Sequence, residues 1–333
     1  MTIRKLLAAV LLPAIIALSS VAPAQAQSIR VSCPSAFPLY YLPIPIADKL
    51  GLFKEAGLNV EVVSLTGANA ARALLAGSLE FSCNSLDHAI KAFAQGQSIK
   101  LILAFQRLPG LALSVATRLK GSVHDVRDLK GKTIGIAVLG SSTHLMLQYL
   151  IAKAGMVDRD FKIVGVPGPA FVAAMKAGQI DAGVMLEPYV TMLERDGTLH
   201  TVQDFRTIAG TKAVMGTSEF VNTGVLVSGA LIDKDPALVQ KFVNVLVKAN
   251  GWAQSHTPRE IANAIGVPPE GQADFVAALQ KMADAYYPDA IPTEEGIKQT
   301  VAFHRVVGTI AKDMPINEQA LVDLRFITAA QGK

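Results

Sequence analysis

Short β-branched runs alternate with helix-period runs along most of the chain. The pattern predicts strands at 29–33, 60–65, 80–83 and 100–105, with helices at 44–56, 68–76 and 86–95. A glycine follows each helix (Gly57, Gly77, Gly96), where a left-handed residue ends the spiral without steric cost. The alternation then restarts, with strands at 132–137, 161–166 and 182–186 and helices at 143–154 and 170–177, closed by Gly155 and Gly178. Strands spaced by helices of about ten residues indicate βαβ units, and so a mostly parallel sheet flanked by helices. Residues 71–80 and 172–181 both read as a small amphipathic helix, an Ala-Gly stop and an acid before a strand. That likeness favours two similar lobes over one large sheet.

Two further extended stretches, 111–117 and 223–228, read as strands crossing between the lobes, the natural place for a hinge. Asp235-Pro236 opens a long helix to about 253, with Asp as N-cap and Pro in the first turn. The remainder is mostly helical, with starts at Pro258, Pro268-Pro269, Thr293 and Asn317. The expected class is α/β. The first lobe takes 27–112 and 224–333, including the C-terminal helices, and the second takes 113–223. With no Pro/Ser-rich linker between them, the lobes should touch across a cleft.

The first 26 residues follow another pattern: Arg4-Lys5, an apolar run over 6–18, then Ala24-Gln25-Ala26. That describes a secretory signal peptide cut after Ala26. The run is shorter than the roughly 20 residues a membrane span needs, and Pro13 interrupts it. Gln27 at the cut, rather than Cys, argues against a lipid anchor. Export permits a disulfide between Cys33 and Cys83; two buried thiols in strands are the plainer reading. Removing Arg4 and Lys5 from 31 basic residues leaves 29 against 27 acidic, a net charge of +2. With 6% aromatic residues and no block of like charge, a nucleic-acid surface is excluded.

The usual catalytic signatures are missing: no GxxxxGK[ST] loop, GxGxxG, HExxH or GxSxG. Six scattered histidines show no metal-ligand spacing, and Asp87-His88 reads as a solvated helix start. The expected protein is neither an enzyme nor a metalloprotein, and it needs no cofactor. Binding chemistry at strand-to-helix turns remains. Ligands of open parallel sheets sit beyond the strands' carboxyl ends, where helix N-termini offer unpaired N–H groups. Gly140-Ser141-Ser142-Thr143-His144 is the leading candidate, either as a polar-group site or as an ordinary hydroxyl cap. Thr66-Gly67 and Asn84-Ser85 hold corresponding places, and Phe105-Gln106 offers an apolar wall and an amide. Tyr40-Tyr41 lies in a Pro-rich turn where an aromatic pair covers a ligand or packs beneath the turn. Glu187-Pro188-Tyr189 closes the last strand of the second lobe; Glu187 either brings a carboxylate to the cleft or bonds neighbouring backbone. Arg107 is the basic side chain beside these turns, and an exposed loop position suits it.

Three stretches also carry a family likeness. They are Leu50-Gly51-Leu52-Phe53-Lys54-Glu55-Ala56-Gly57-Leu58-Asn59-Val60-Glu61, Asp128-Leu129-Lys130-Gly131-Lys132-Thr133-Ile134-Gly135, and Gly178-Gln179-Ile180-Asp181-Ala182 through Tyr189. In order and content they resemble periplasmic substrate-binding proteins of ABC transporters, in the nitrate/sulfonate/taurine group, which is also similar to binders of thiamine-pyrimidine precursors. The resemblance implies a type II two-lobed fold that closes on one small solute. It also implies a periplasmic monomer that delivers the solute to a permease driven by a separate ATPase. Fungal pyrimidine synthases share this fold, but their Cys-rich motif and iron-related His are not visible here. The expected solute is a small organic anion or zwitterion such as a sulfonate or taurine. An aminopyrimidine or aromatic carboxylate is the alternative, and a periplasmic enzyme on the same fold is the alternative of another class.

Overall fold

The computed structural model describes residues 27–34, 38–65 and 67–332. The leader expected over 1–26 and the candidate Thr66 lie outside the described residues.

In chain order the first half builds β1 (Gln27–Ser32), α1 (Pro43–Lys49), α2 (Leu52–Glu55), β2 (Leu58–Val63), α3 (Gly67–Leu75), β3 (Phe81–Ser85), α4 (Asp87–Ala94) and β4 (Ile99–Ala104). The second half runs β5 (Leu111–Ala116), β6 (Thr133–Ile136), α5 (Ser142–Lys153), β7 (Lys162–Gly165), α6 (Pro169–Lys176), β8 (Ala182–Leu186), α7 (Tyr189–Arg195), β9 (Leu199–Asp204) and α8 (Ile208–Met215). The chain then returns through β10 (Thr223–Ser228), α9 (Gly229–Lys234), α10 (Pro236–Ser255), α11 (Pro258–Ala264), α12 (Pro269–Lys281), α13 (Glu294–Val306) and α14 (Arg325–Ala330).

The glycines expected to stop helices (57, 77, 96, 155, 178) all adopt φ of 69–70°. Gly51, at φ 72°, breaks the helix expected over 44–56 into α1 and α2. Asp235 caps α10 as expected, its carboxylate accepting from the Leu238 N–H at 2.9 Å. Asn317 starts only a short 3-10 turn over Glu318–Leu321.

Two five-stranded sheets result, in the orders β2-β1-β3-β10-β4 and β7-β6-β8-β5-β9. They are built alike. In each, three parallel strands come from two βαβ units, and one strand pairs antiparallel with both neighbours: β10 in the first sheet, β5 in the second. The similar segments of the sequence occupy matching places, α3 leading into β3 and α6 into β8. The stretches expected to cross between lobes are these two antiparallel strands. The passages from sheet to sheet lie just before them, at 105–110 and 205–222. These passages pair with each other: the Phe220 N–H donates to the Arg107 carbonyl, and Asn222 N–H to that of Gln106.

Helices cover both faces of each sheet. Phe81 of β3 stacks on Phe242 of α10 with centroids 3.9 Å apart, and Phe53 of α2 stacks on the same ring. The opposite face of the first sheet meets Leu74 of α3, Ile90 of α4 and Val301 of α13. In the second sheet, α5 packs on one face and α6 and α7 on the other. Glycine permits a close approach there: a Cβ on Gly183 of β8 would sit 2.2 Å from Cε2 of Phe171 in α6. Gly183→Ala is therefore expected to destabilise the fold by about 1–3 kcal/mol, the usual cost of overpacking a tight core. Urea unfolding of the variant checks this, and an unchanged midpoint would refute it.

Cys33 and Cys83 are free, buried thiols where β1 and β3 run side by side; burial and the neighbouring Cys33 sulfur push the Cys83 thiol up. Among the described residues, no helix is long and apolar enough to cross a membrane.

Candidate functional site

A cavity of about 390 Å³ lies between the two sheets, walled by both halves, by the crossing passages and by α13. Its position follows from the topology. The helices α4 and α5 start from the carboxyl ends of β3 and β6, so both N-termini point toward the gap. A hollow of about 490 Å³ near α10 and α12 is larger. There, however, the Asn250 and Gln254 amides are spent on the Pro288 carbonyl. We therefore place the site between the sheets, where two helix N-termini and several side chains converge.

From the α5 side, Ser141 and Ser142 line the cavity. Ser141 Oγ donates to the Val138 carbonyl at 2.6 Å, and Ser142 is exposed into the gap. Their neighbours shape the loop instead. Thr143 is buried, its Oγ1 accepting from Ala137 N–H at 2.9 Å. His144 turns back, and its Nδ1 accepts from Gly140 N–H at 3.0 Å.

From the first half come Tyr41, Gly67, Asn84 and Ser85. Asn84 ties the end of β3 to the start of α3, its amide donating to the Gly67 carbonyl at 3.1 Å. Tyr41 faces the gap with Phe105 edge-on behind it at 6.3 Å, so Phe105 supports the wall rather than forming it.

The remaining expected residues stand away from the cavity. Tyr40 is buried, its hydroxyl donating to the Gly110 carbonyl at 2.6 Å and accepting from Glu187 N–H at 3.0 Å. Gln106 braces the crossing passages, its Oε1 accepting from the Asn222 amide at 3.1 Å. Glu187 does not face the gap. It is fully buried, 2.5 Å from Nη1 of Arg206, and accepts from the N–H and hydroxyl of Thr191. Tyr189 follows it into α7, with its hydroxyl against Gly168. Arg107 points elsewhere, its Nε donating to the Asp284 carbonyl.

The structure adds residues that the sequence did not single out. Asp87 is no solvated helix start: it is buried and lines the cavity, with Ser85 Oγ on Oδ1 and Lys91 Nζ 2.6 Å from Oδ2. His88 Nε2 stands 3.6 Å from the same carboxylate. Asp87 and His88, the first two residues of α4, both line the cavity. His304, reached from α13, completes the group and is buried. The Asp-x-x-x-Lys spacing was visible as an i,i+4 pair. His304 arrives from more than two hundred residues away with no local signal.

Charges in this cluster follow from burial. Burial works to raise the Asp87 carboxyl, but His88, Lys91 and His304 hold it well below the usual carboxylate range. At the acidic pH where it would take a proton, the His304 imidazole is itself charged. Burial pushes His304 down to about 4, with Asp87 opposing and Lys91 reinforcing the shift; burial also lowers His88. At neutral pH the cluster is one ion pair beside two neutral imidazoles. Among the described residues, no group of three or more His, Cys, Asp or Glu side chains is placed to hold a metal ion.

A family model described as "NMT1/THI5 like" matches residues 39–261. The chain belongs to the NMT1/THI5-like family. It is similar to a putative binding protein, YtlA, of Bacillus subtilis, at 23% identity over 84% of each chain. It is 24% identical to the 4-amino-5-hydroxymethyl-2-methylpyrimidine phosphate synthase THI13 of Saccharomyces cerevisiae, over 76% of this chain and 74% of the yeast protein. It is 30% identical to the taurine-binding periplasmic protein of Escherichia coli, over 53% of this chain and 54% of that one. Among solved structures, a protein of Bordetella bronchiseptica superposes with a TM-score of 0.80 at 28% identity, covering 92% of this chain and 98% of its own. The alkanesulfonate-binding protein SsuA of Xanthomonas axonopodis gives 0.65 at 20% identity, covering 92% and 98%. The architecture of this NMT1/THI5-like chain is thus that of periplasmic binding proteins, with two mixed α/β sheets facing one cleft.

Proposed function

We propose that this chain is the extracytoplasmic receptor of an ABC importer. It takes one small organic anion or zwitterion into the cleft and hands it unchanged to a membrane permease. The carrying observation is the cavity between the sheets, where the α5 N-terminus presents Ser141 and Ser142 opposite the Asn84–Lys91 face. Backbone N–H groups of a helix start hold a sulfonate or carboxylate without an arginine. The opposite face balances Asp87 against Lys91 and suits a polar or cationic end. Relatives named as binding proteins for taurine and alkanesulfonate support the same reading.

The halves act as two lobes, 27–112 with 224–333 and 113–223, turning about the paired crossing passages. Ligand favours the closed form by as much as it binds that form better. The protein works as a monomer in the periplasm after losing its leader.

Calorimetry against sulfonates, carboxylates, nitrate and aminopyrimidines tests the ligand class, with recovery of the solute checked by chromatography. Tight binding of an organic acid recovered intact supports the receptor. Conversion of the solute would replace it with the enzyme reading, which the pyrimidine synthases among the relatives keep in view. Ser142→Ala is expected to weaken binding more than about threefold, roughly one neutral hydrogen bond, at constant melting temperature. Unchanged affinity would move the anion away from α5.

A further inference from the structure

The cleft holds more than an anchor for an acid. His304 is 3% exposed, lines the cavity, and its Nδ1 has no hydrogen-bond partner among the described residues. A buried polar atom without a partner is costly to keep, and this one belongs to a side chain that lines the binding cavity, so the His304 imidazole marks a place where a ligand atom belongs. Between His304 and the α5 N-terminus the walls are apolar, formed by Leu145, Met146, Phe220 and Phe303. Phe303 is held by Tyr149 of α5 at 5.0 Å and Phe220 at 5.5 Å, so this wall is firm and joins both halves. A space of about 390 Å³ falls in the range of sites for drug-sized organic molecules and is generous for a two-carbon acid.

Resting on the receptor reading above, we infer that the solute is an organic acid with an aromatic-sized apolar body and a hydrogen-bonding group at its far end. The acid sits at Ser141–Ser142, the body lies against Phe220 and Phe303, and the far group meets the His304 imidazole. A hydroxyl satisfies the imidazole in either tautomer, because it both donates and accepts. The Asp87–Lys91 pair keeps this end of the cleft locally balanced, so a neutral polar group fits it better than a second full charge.

The test uses four probes on the purified protein: methanesulfonate, benzenesulfonate, and 3- and 4-hydroxybenzenesulfonate. Calorimetry is expected to rank benzenesulfonate at least tenfold above methanesulfonate, with one hydroxyl isomer a further fivefold or more. In His304→Phe the ratio of affinities between the favoured hydroxyl isomer and benzenesulfonate should fall to about one. Should that variant not fold, the wild-type imidazole ¹⁵N signals serve instead. The His304 ring-nitrogen resonances should move with the favoured hydroxyl isomer and not with benzenesulfonate. Equal binding of methanesulfonate and the aromatic probes, or a hydroxyl increment that survives loss of His304, overturns this inference and leaves the receptor standing. If none of the four binds, the organic-acid reading of the cleft falls as well.

Discussion

Replacing Arg206 with methionine is expected to destabilise the fold by about 3–5 kcal/mol, the usual result of stripping one partner from a buried ion pair. The guanidinium is fully buried among three carboxylates. Its Nη1 is 2.5 Å from Glu187, Nε 2.8 Å from Asp204 and Nη2 3.0 Å from Glu194. Burial alone would discourage its charge, but the hydrogen bonds it donates to Asp204 and Glu194 and the charge of Glu187 hold it protonated, above its ordinary value. Without it, the buried Glu187 carboxylate keeps, among the described residues, the N–H and hydroxyl of Thr191 as its hydrogen-bond donors. Adding Glu187→Gln to the variant removes that stranded charge and should return at least about 1 kcal/mol, measured as a coupling in a double-mutant cycle by urea unfolding. A single variant within 1 kcal/mol of wild type would show that the network contributes little.

Acid is expected to unfold the protein through His304. Above about pH 6.5 the imidazole is neutral in both folded and unfolded chains and contributes no pH dependence. Below that the unfolded chain binds a proton, while the folded chain resists until about pH 4. Stability should therefore fall by about 1.4 kcal/mol per pH unit through this window, or roughly 3 kcal/mol in all. His88, also lowered, adds to the slope in the same direction. Asp87 enters only further down: its depressed carboxyl contributes stability above its unfolded value that is lost at still lower pH. His304→Gln should remove about one proton from the dependence between pH 6.5 and 4. Urea titrations of both proteins giving the same slope would exclude His304 as the source.

Much of the architecture was legible because glycine and β-branched residues punctuate the sequence locally. The five glycine stops, the Asp235 cap and the matching α3–β3 and α6–β8 segments needed nothing beyond near neighbours. What escaped was set by distant partners. β9 is largely polar, with no apolar alternation to mark it as a strand, yet it pairs with residues 112–116 of β5 at the edge of the second sheet. The site divides the same way. Ser141 and Ser142 follow a strand end, Asn84 and Ser85 are the last residues of one, and all four reach the cavity, as the fold's geometry requires. Glu187 also follows a strand end, but Arg206, nineteen residues on, draws it inward. Asp87 reads as solvated in the sequence because α13, which brings His304 beside it, packs on α4 from a part of the chain that no window around residue 87 contains.

The order in which strands enter the sheets has a consequence for how the protein forms. All five strands of the second sheet lie in one unbroken run, 111–204, whereas the first sheet keeps an empty slot between β3 and β4 until β10 arrives. During synthesis or refolding, the inserted half can assemble from its own residues while its host waits with two exposed ribbon edges, the state most prone to sticking to other chains. Chaperone protection should matter most in the interval before residue 228 becomes available.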